Sequence, residues 1–209
     1  GNTLRYTFEK QVIGGYCEKT FYVESDDGGV NWHDVSSNFT KDTSTSGAIT
    51  MSELENASYN FVVVNASDVS EDNIAPKGGT VDDSGNPYII TAEWTSGNFD
   101  YRMCYWDGNS WQNSLIKNGT FNTSPILIHR GGTTLDCYLE DSANEMSLYR
   151  TEDVSTWTKI RTVKETTGLR SKKCKLNNFT NNYKDTSKHM FIGVYGTDAN
   201  YSDIFVEVN

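Results

Sequence analysis

Apolar and polar residues alternate with a period of two through much of this chain. Leu4, Tyr6 and Phe8 fall on one side and Arg5, Thr7 and Glu9 on the other. That is the pattern of a strand with one buried face. Gly14-Gly15 turns the chain. A second strand is expected over 20–24 and a third from Trp32. Residues 36–48 are rich in Ser, Thr and Asn and read as a loop. Residues 51–56 fit one short helical turn, and Asn60-Phe61-Val62-Val63-Val64 reads as a buried strand. From Gly78 a four-strand unit sets in, with a turn at 82–87, strands at 88–94 and 101–106, a turn at 107–109 and Trp111 opening the last strand. A second such unit follows, with strands at 124–129, 133–139 and 145–150 and Trp157 in the place of Trp111. A third begins at Cys174.

The turn between the second and third strands is the most specific feature. Ser25-Asp26-Asp27-Gly28-Gly29-Val30-Asn31-Trp32 fits Ser-x-Asp-x-Gly-x-x-Trp. Asp27 can accept hydrogen bonds from N–H groups of its own turn. Gly29 permits a positive φ where the chain reverses, and Trp32 brings a large ring to the next strand. Residues 151–156, ahead of Trp157, form a degenerate version.

The stretch resembles the Asp-box of BNR-repeat proteins, which include sialidases and other carbohydrate-active β-propellers. Ser25, Asp27, Gly29 and Trp32 are its structural residues on that resemblance. Gly79-Thr80-Val81-Asp82-Asp83-Ser84-Gly85-Asn86-Pro87-Tyr88 and Tyr105-Trp106-Asp107-Gly108-Asn109-Ser110-Trp111 are similar to the members of that family that include ulvan lyases. The resemblance covers residues 18–165. It implies a secreted or cell-surface protein acting on a polysaccharide. Such lyases cut next to a uronic acid, with His, Tyr and Arg as base, acid and carboxylate neutraliser. The histidines here are His33, His129 and His189, and Tyr16-Cys17 stands where a family histidine is expected. No catalytic residue is assigned.

A four-strand unit recurring about every 40–50 residues marks a propeller blade. The expected fold is all-β, a β-propeller of four-stranded antiparallel blades. Its units fall at about 4–45, 78–118, 124–165 and 174–209, with an irregular connection at 46–77. With strands named A to D from the axis outward, the first unit begins at B and the last stops at C. Roughly four blades are therefore visible, in an incomplete ring or one completed by another chain or a missing segment. A β-sandwich with coincident tryptophans is the competing architecture.

The formal net charge of −10 argues against a nucleic-acid partner. No apolar run approaches the roughly 20 residues of a membrane span. Cys17, Cys104, Cys137 and Cys174 include no Cys-x-x-Cys pair, so no metal site is expected. Cys104 and Cys137 read as buried free thiols; if all four pair, three connectivities stay open. Asp82-Asp83-x-Gly85 resembles a fragment of a calcium loop but lacks the spaced acidic ligands of a complete one. No cofactor is expected, with a structural calcium ion as the alternative.

Ligand sites in propellers usually lie opposite the Asp-box turns, on the B–C loops. Those loops are expected at about 93–101, 140–145 and 195–202. They carry Glu93, Trp94, Asp100, Tyr101, Glu140, Asp141, Tyr195, Asp198 and Tyr201. Aromatic rings can stack on apolar sugar faces while carboxylates bond to hydroxyls. Paired carboxylates also serve as acid and base in glycosidic cleavage. His129-Arg130 falls at an A–B turn, on the other face. The sequence therefore points to a carbohydrate-active propeller that binds a polysaccharide and, as a lyase or glycosidase, cleaves it. The alternatives are a non-catalytic glycan-binding or adhesion module and a structural domain completed by a partner chain.

Overall fold

The computed structural model describes residues 3–12, 16–65, 73–95, 98–120, 125–142, 145–165, 174–176, 189–197 and 200–208. The first sheet holds β1 (Leu4–Gln11), β2 (Cys17–Ser25), β3 (Asn31–His33), β4 (Thr40–Asp42) and β5 (Val62–Asn65). The second holds β6 (Asn73–Val81), β7 (Pro87–Thr95), β8 (Asn98–Trp106) and β9 (Trp111–Thr120). The third holds β10 (Ile126–Gly131), β11 (Thr134–Ser142), β12 (Glu145–Thr151) and β13 (Thr158–Glu165). The fourth holds β14 (Cys174–Leu176), β15 (His189–Thr197) and β16 (Asn200–Val208). Neighbouring strands in each sheet are antiparallel and, β5 apart, follow chain order. β6 lies against β1, β2 and β10, and β10 lies against β14, so the sheets stack in sequence.

Stacking explains why the central strands read as apolar on both faces. Tyr88, Ile90 and Ala92 of β7, with Tyr101 and Met103 of β8, pack against Leu127, Leu135, Cys137 and Leu139 of the third sheet. Ile89 and Cys104, on the opposite face, meet Tyr22 and Val63 of the first sheet. Cys17, Cys104 and Cys137 are buried and none of the three is joined in a disulfide, and burial pushes the Cys104 thiol up to about 11. A buried carboxylate needs donors to offset its desolvation. Asp136 takes a bidentate bond from Arg150 at 2.6 and 2.9 Å and a third contact from Arg130 at 3.1 Å.

The tryptophans tie one sheet to the next. The Trp111 indole N–H donates to the Asn60 carbonyl at 2.9 Å, and its ring meets Tyr22 edge-on. Trp157 donates to the Ser114 hydroxyl on β9 at 3.0 Å. Each therefore reaches into the preceding sheet. Trp32 instead donates to Gly29 of its own turn at 2.8 Å.

The turns use side-chain carboxylates in a shared way. Asp27 accepts from the N–H groups of Val30 and Asn31, from the Asn31 side chain and from the Ser25 hydroxyl. Gly29 sits at φ +98° and donates its N–H to the Ser25 oxygen. Asp153 accepts from the Ser155 and Thr156 N–H groups, Asp107 from Asn109 and Ser110, and Asp82 from Ser84 and Asn86. The donors around Asp27, its Asn31 N–H first, hold its carboxyl at about 2.

Within the connection expected at 46–77, the described residues hold the helical turn α2 (Met51–Leu54), where one is expected at 51–56, then β5 on β2, where a strand is expected at 60–64, then the first residues of β6. A shorter turn, α1 (Thr43–Ser46), precedes α2. The Thr50 and Glu53 pair caps α2 reciprocally, the device that makes so short a turn form. The second sheet opens at Asn73 rather than at residue 78. Pro76 hides that start from a pattern reading, because proline removes a ladder donor; the register shifts between Pro76 and Gly78. Gly79 is required for packing, since a Cβ there would lie 2.6 Å from the Tyr88 carbonyl oxygen.

Two outcomes are expected. Trp111→Phe keeps the ring but orphans the Asn60 carbonyl, and should cost about 1–3 kcal/mol in urea unfolding with an unchanged far-ultraviolet spectrum. Asp27 is depressed in the fold, so its stabilisation is complete above its unfolded value of about 4 and disappears as pH falls towards about 2. The stability gap between wild type and Asp27→Asn should therefore shrink over that window, measured by unfolding midpoints at stepped pH.

Candidate functional site

Strand direction places the β1–β2, β7–β8, β11–β12 and β15–β16 connections at one rim, opposite the Asp27, Asp82, Asp107 and Asp153 turns. In the second sheet Thr95 pairs with Asn98, and in the third Ser142 pairs with Glu145. The loops expected at 93–101 and 140–145 are thus strand ends joined by tight hairpins. The first sheet contributes the β1–β2 connection, closed by the Val12 N–H on the Tyr16 carbonyl at 2.9 Å.

At the second-sheet hairpin Glu93 stands opposite Asp100, Trp94 opposite Phe99 and Ala92 opposite Tyr101. Strand phase separates the four expected residues. Trp94 and Phe99 lie on the face towards the third sheet, with ring centroids 4.6 Å apart at 63°. Phe99 rests on the core, and Trp94 is half-buried above it. Glu93 and Asp100 lie on the other face, where Arg102 donates to Glu93 at 3.2 Å and to Asn113 at 3.3 Å. Tyr101 is fully buried, which corrects its expected place in a binding loop. It shares the phase of Met103 and Ala92, and that phase points inwards.

Glu140 and Asp141 fall at the end of β11, Tyr195 near the end of β15 and Tyr201 at the start of β16. Their side chains, and the whole of Asp198, lie outside the described residues. Loop 195–202 is likewise replaced by a hairpin in which Thr197 pairs with Asn200.

Residues outside the expected set also stand at this rim. Tyr16 is 40% exposed beside Cys17. Lys10 bridges Glu18 at 2.9 Å and Glu55 at 2.8 Å, and Lys19 reaches Glu55 at 2.7 Å. The bonds to Glu55 and Glu18 raise Lys10, and Lys10 and Lys19 lower Glu55. The signal for Phe99 and Arg102 was the strand period, which pairs them with Trp94 and Glu93 once the hairpin is tight. The signal for Tyr16 was the assignment of β1 and β2 as strands B and C, which makes their connection equivalent to the other hairpins.

The described histidines lie at the opposite rim. His33 contacts Asp26 at 3.3 Å and the Asp34 carbonyl at 3.0 Å. His129 contacts the Gly132 carbonyl at 3.0 Å, and Arg130 is held by Asp136. Among the described residues no three His, Cys, Asp or Glu side chains are grouped to hold a metal ion. At the Asp82 turn the carboxylate is occupied by the N–H groups and side chain of its own loop. No described helix is long and apolar enough to cross a membrane.

No protein-family model and no curated protein sequence matches the chain. Among solved structures, the polysaccharide lyase Uly1 superposes with a TM-score of 0.58 at 15% identity, covering 98% of this chain and 43% of that one. The NanB sialidase of Streptococcus pneumoniae gives a TM-score of 0.43 at 12% identity, covering 89% and 27%. The chain thus spans less than half the length of either structure. The likeness to the lyase is one of fold, and that fold is propeller-type. The weaker likeness to the sialidase carries no argument.

The two aromatic residues at the hairpin should respond oppositely to truncation. Tyr101→Ala removes a fully buried ring and should cost roughly 3–5 kcal/mol. Trp94→Ala should cost a minor fraction of that, and urea unfolding of the two variants ranks them.

Proposed function

We propose that this chain forms part of a β-propeller of the Asp-box kind that binds a polysaccharide along the rim of the β1–β2 and β7–β8 hairpins, at the cell surface or outside it. The observation that carries this reading is the Trp94–Phe99 pair, a half-buried indole braced edge-on near the end of the β7–β8 strand pair. An apolar sugar face can stack on such a ring. Across the rim, on the other face of the sheet from Trp94, Glu93 and Asp100 stand opposite one another as hydroxyl acceptors, and Arg102 fixes the Glu93 carboxylate by its Nε. The fold likeness to a polysaccharide lyase supports the substrate class.

Binding is favoured over elimination at this rim, because His33 and His129 stand at the other one. If cleavage occurs here, the facing carboxylates favour hydrolysis. Cross-strand Cβ atoms lie about 4.5–5.5 Å apart, which allows the carboxyl separation of about 5–5.5 Å used by retaining glycosidases.

The test is affinity electrophoresis of the full chain through gels containing a panel of neutral and uronic polysaccharides. Trp94→Ala should weaken retention about tenfold, while His129→Ala should leave it unchanged. Equal retention of wild type and Trp94→Ala on every retaining polysaccharide would remove this rim as the site. Ultraviolet absorbance from unsaturated sugar ends reports elimination, and reducing ends without it report hydrolysis.

A further inference from the structure

Four hairpins stand at the candidate rim, over 11–17, 93–101, 140–145 and 195–202. They carry Glu93, Asp100, Glu140, Asp141, Glu145 and Asp198 and no Lys or Arg. A charged polymer approaching this rim therefore meets carboxylates first.

The described cations near the rim stand on the strands below the hairpins, and most are bonded within the protein. Arg102 donates its Nε to Glu93 at 3.2 Å and its Nη1 to Asn113 at 3.3 Å. Lys10 lies between Glu18 at 2.9 Å and Glu55 at 2.8 Å, and Lys19 reaches the same Glu55 oxygen at 2.7 Å. Lys159 is held by Glu145, and Lys117, across from Tyr101, also has a partner. Lys77 of β6 stands at the register shift between Pro76 and Gly78. Burial, then a bond to Glu9, raises the Cys17 thiol, and the Lys77 charge lowers it, so Lys77 shares its corner with a carboxylate.

A uronate bound at this rim has to compete with these pairs. Arg102 keeps 31% of its side-chain surface and Glu93 only 14%. If Arg102 turned to a ligand carboxylate, Glu93 would lose its partner and face a like charge at close range. A neutral sugar requires no such exchange. Its hydroxyls donate to Glu93 and Asp100 as charge-assisted bonds, and Trp94 takes its apolar face. The carboxylates that repel a uronate are the groups that a neutral polymer can use.

We infer that the polysaccharide taken at this rim is neutral, with Glu93 locking Arg102 away from ligand carboxylates. This departs from the uronic substrate that the sequence resemblance implies, and it rests on the binding site proposed above.

The test is equilibrium binding of the full chain to a panel of uronic polysaccharides, each offered beside the same polymer with its carboxyls reduced to primary alcohols. On every polymer that binds, the reduced form should bind about tenfold more tightly at low salt, and the gap should narrow as salt screens the repulsion. Glu93→Gln should free Arg102 and narrow the gap by tightening the acidic form. Trp94→Ala should weaken both forms alike. Equal or tighter binding of the acidic form by the wild type would overturn this inference, and loss of that binding in Trp94→Ala would leave the rim itself standing. A gap that Glu93→Gln leaves unchanged would remove the Arg102 lock. Binding to neither form of any polymer, or binding indifferent to Trp94→Ala, would remove the rim as the site and this inference with it.

Discussion

A sheet with no helix to cover it must find another surface for each of its faces. That requirement governs this molecule. The second sheet meets it with neighbours on both sides, and its strand β7 is accordingly buried at consecutive positions, from Tyr88 to Ala92. Burial alone is non-directional and does not fix how far one sheet slides over the next. The indole hydrogen bonds of Trp111 and Trp157 supply direction, because each has one donor, spent by Trp111 on Asn60 just ahead of β5 and by Trp157 on Ser114 of β9. Packing brings the sheets together, and these bonds, with those of Ser114 to the Val154 carbonyl and Arg5 to the Gly85 carbonyl, set their alignment.

Buried carboxylates complete the frame. An isolated charge in the interior costs several kcal/mol, so each must be surrounded by donors. Asp34 gathers its donors from positions 36, 39 and 60 and so pins a long run to one spot. Asp136 gathers two guanidinium groups from β10 and β12 and ties the third sheet across its width. At the surface turns, Asp27 and Asp153 do comparable work on local N–H groups. The acidic balance of the chain thus includes carboxylates whose role is to organise backbone.

Much of this frame was legible in the sequence because it rests on short-range rules. Alternation revealed β1, β2 and the hairpin strands, and Asp/Gly turns followed by Trp marked the recurring unit. What escaped was non-local. The pairing of β5 with β2 joins Lys19 to Asn65 across the long run between β3 and β5, and no local pattern reports it. The start of β6 was hidden by Pro76. Tyr101 was misplaced because its neighbours looked like a loop; once Asn98 pairs with Thr95, strand period alone turns Tyr101 inwards. The candidate site was therefore half-legible: Glu93, Trp94 and Asp100 reach the rim, Phe99 and Arg102 were overlooked, and Tyr16 was noted only for standing where a family histidine is expected.

The same contrast explains why the frame speaks more plainly than the function. Turn residues and core tryptophans answer to constraints that few residue types satisfy, so their identities carry information. A strand end at a rim is constrained only by its hairpin, and many residues are tolerated there. At this rim the charges are largely paired within the protein: Arg102 with Glu93, and Lys10 and Lys19 with Glu18 and Glu55. Such pairs are screened and partly spent on each other. A long-range field from them is weak, which leaves the uncharged face of Trp94 as the feature at the second-sheet hairpin able to discriminate among ligands by contact. Recognition here would then depend on the shape and stereochemistry of a sugar ring more than on the charge the polymer carries.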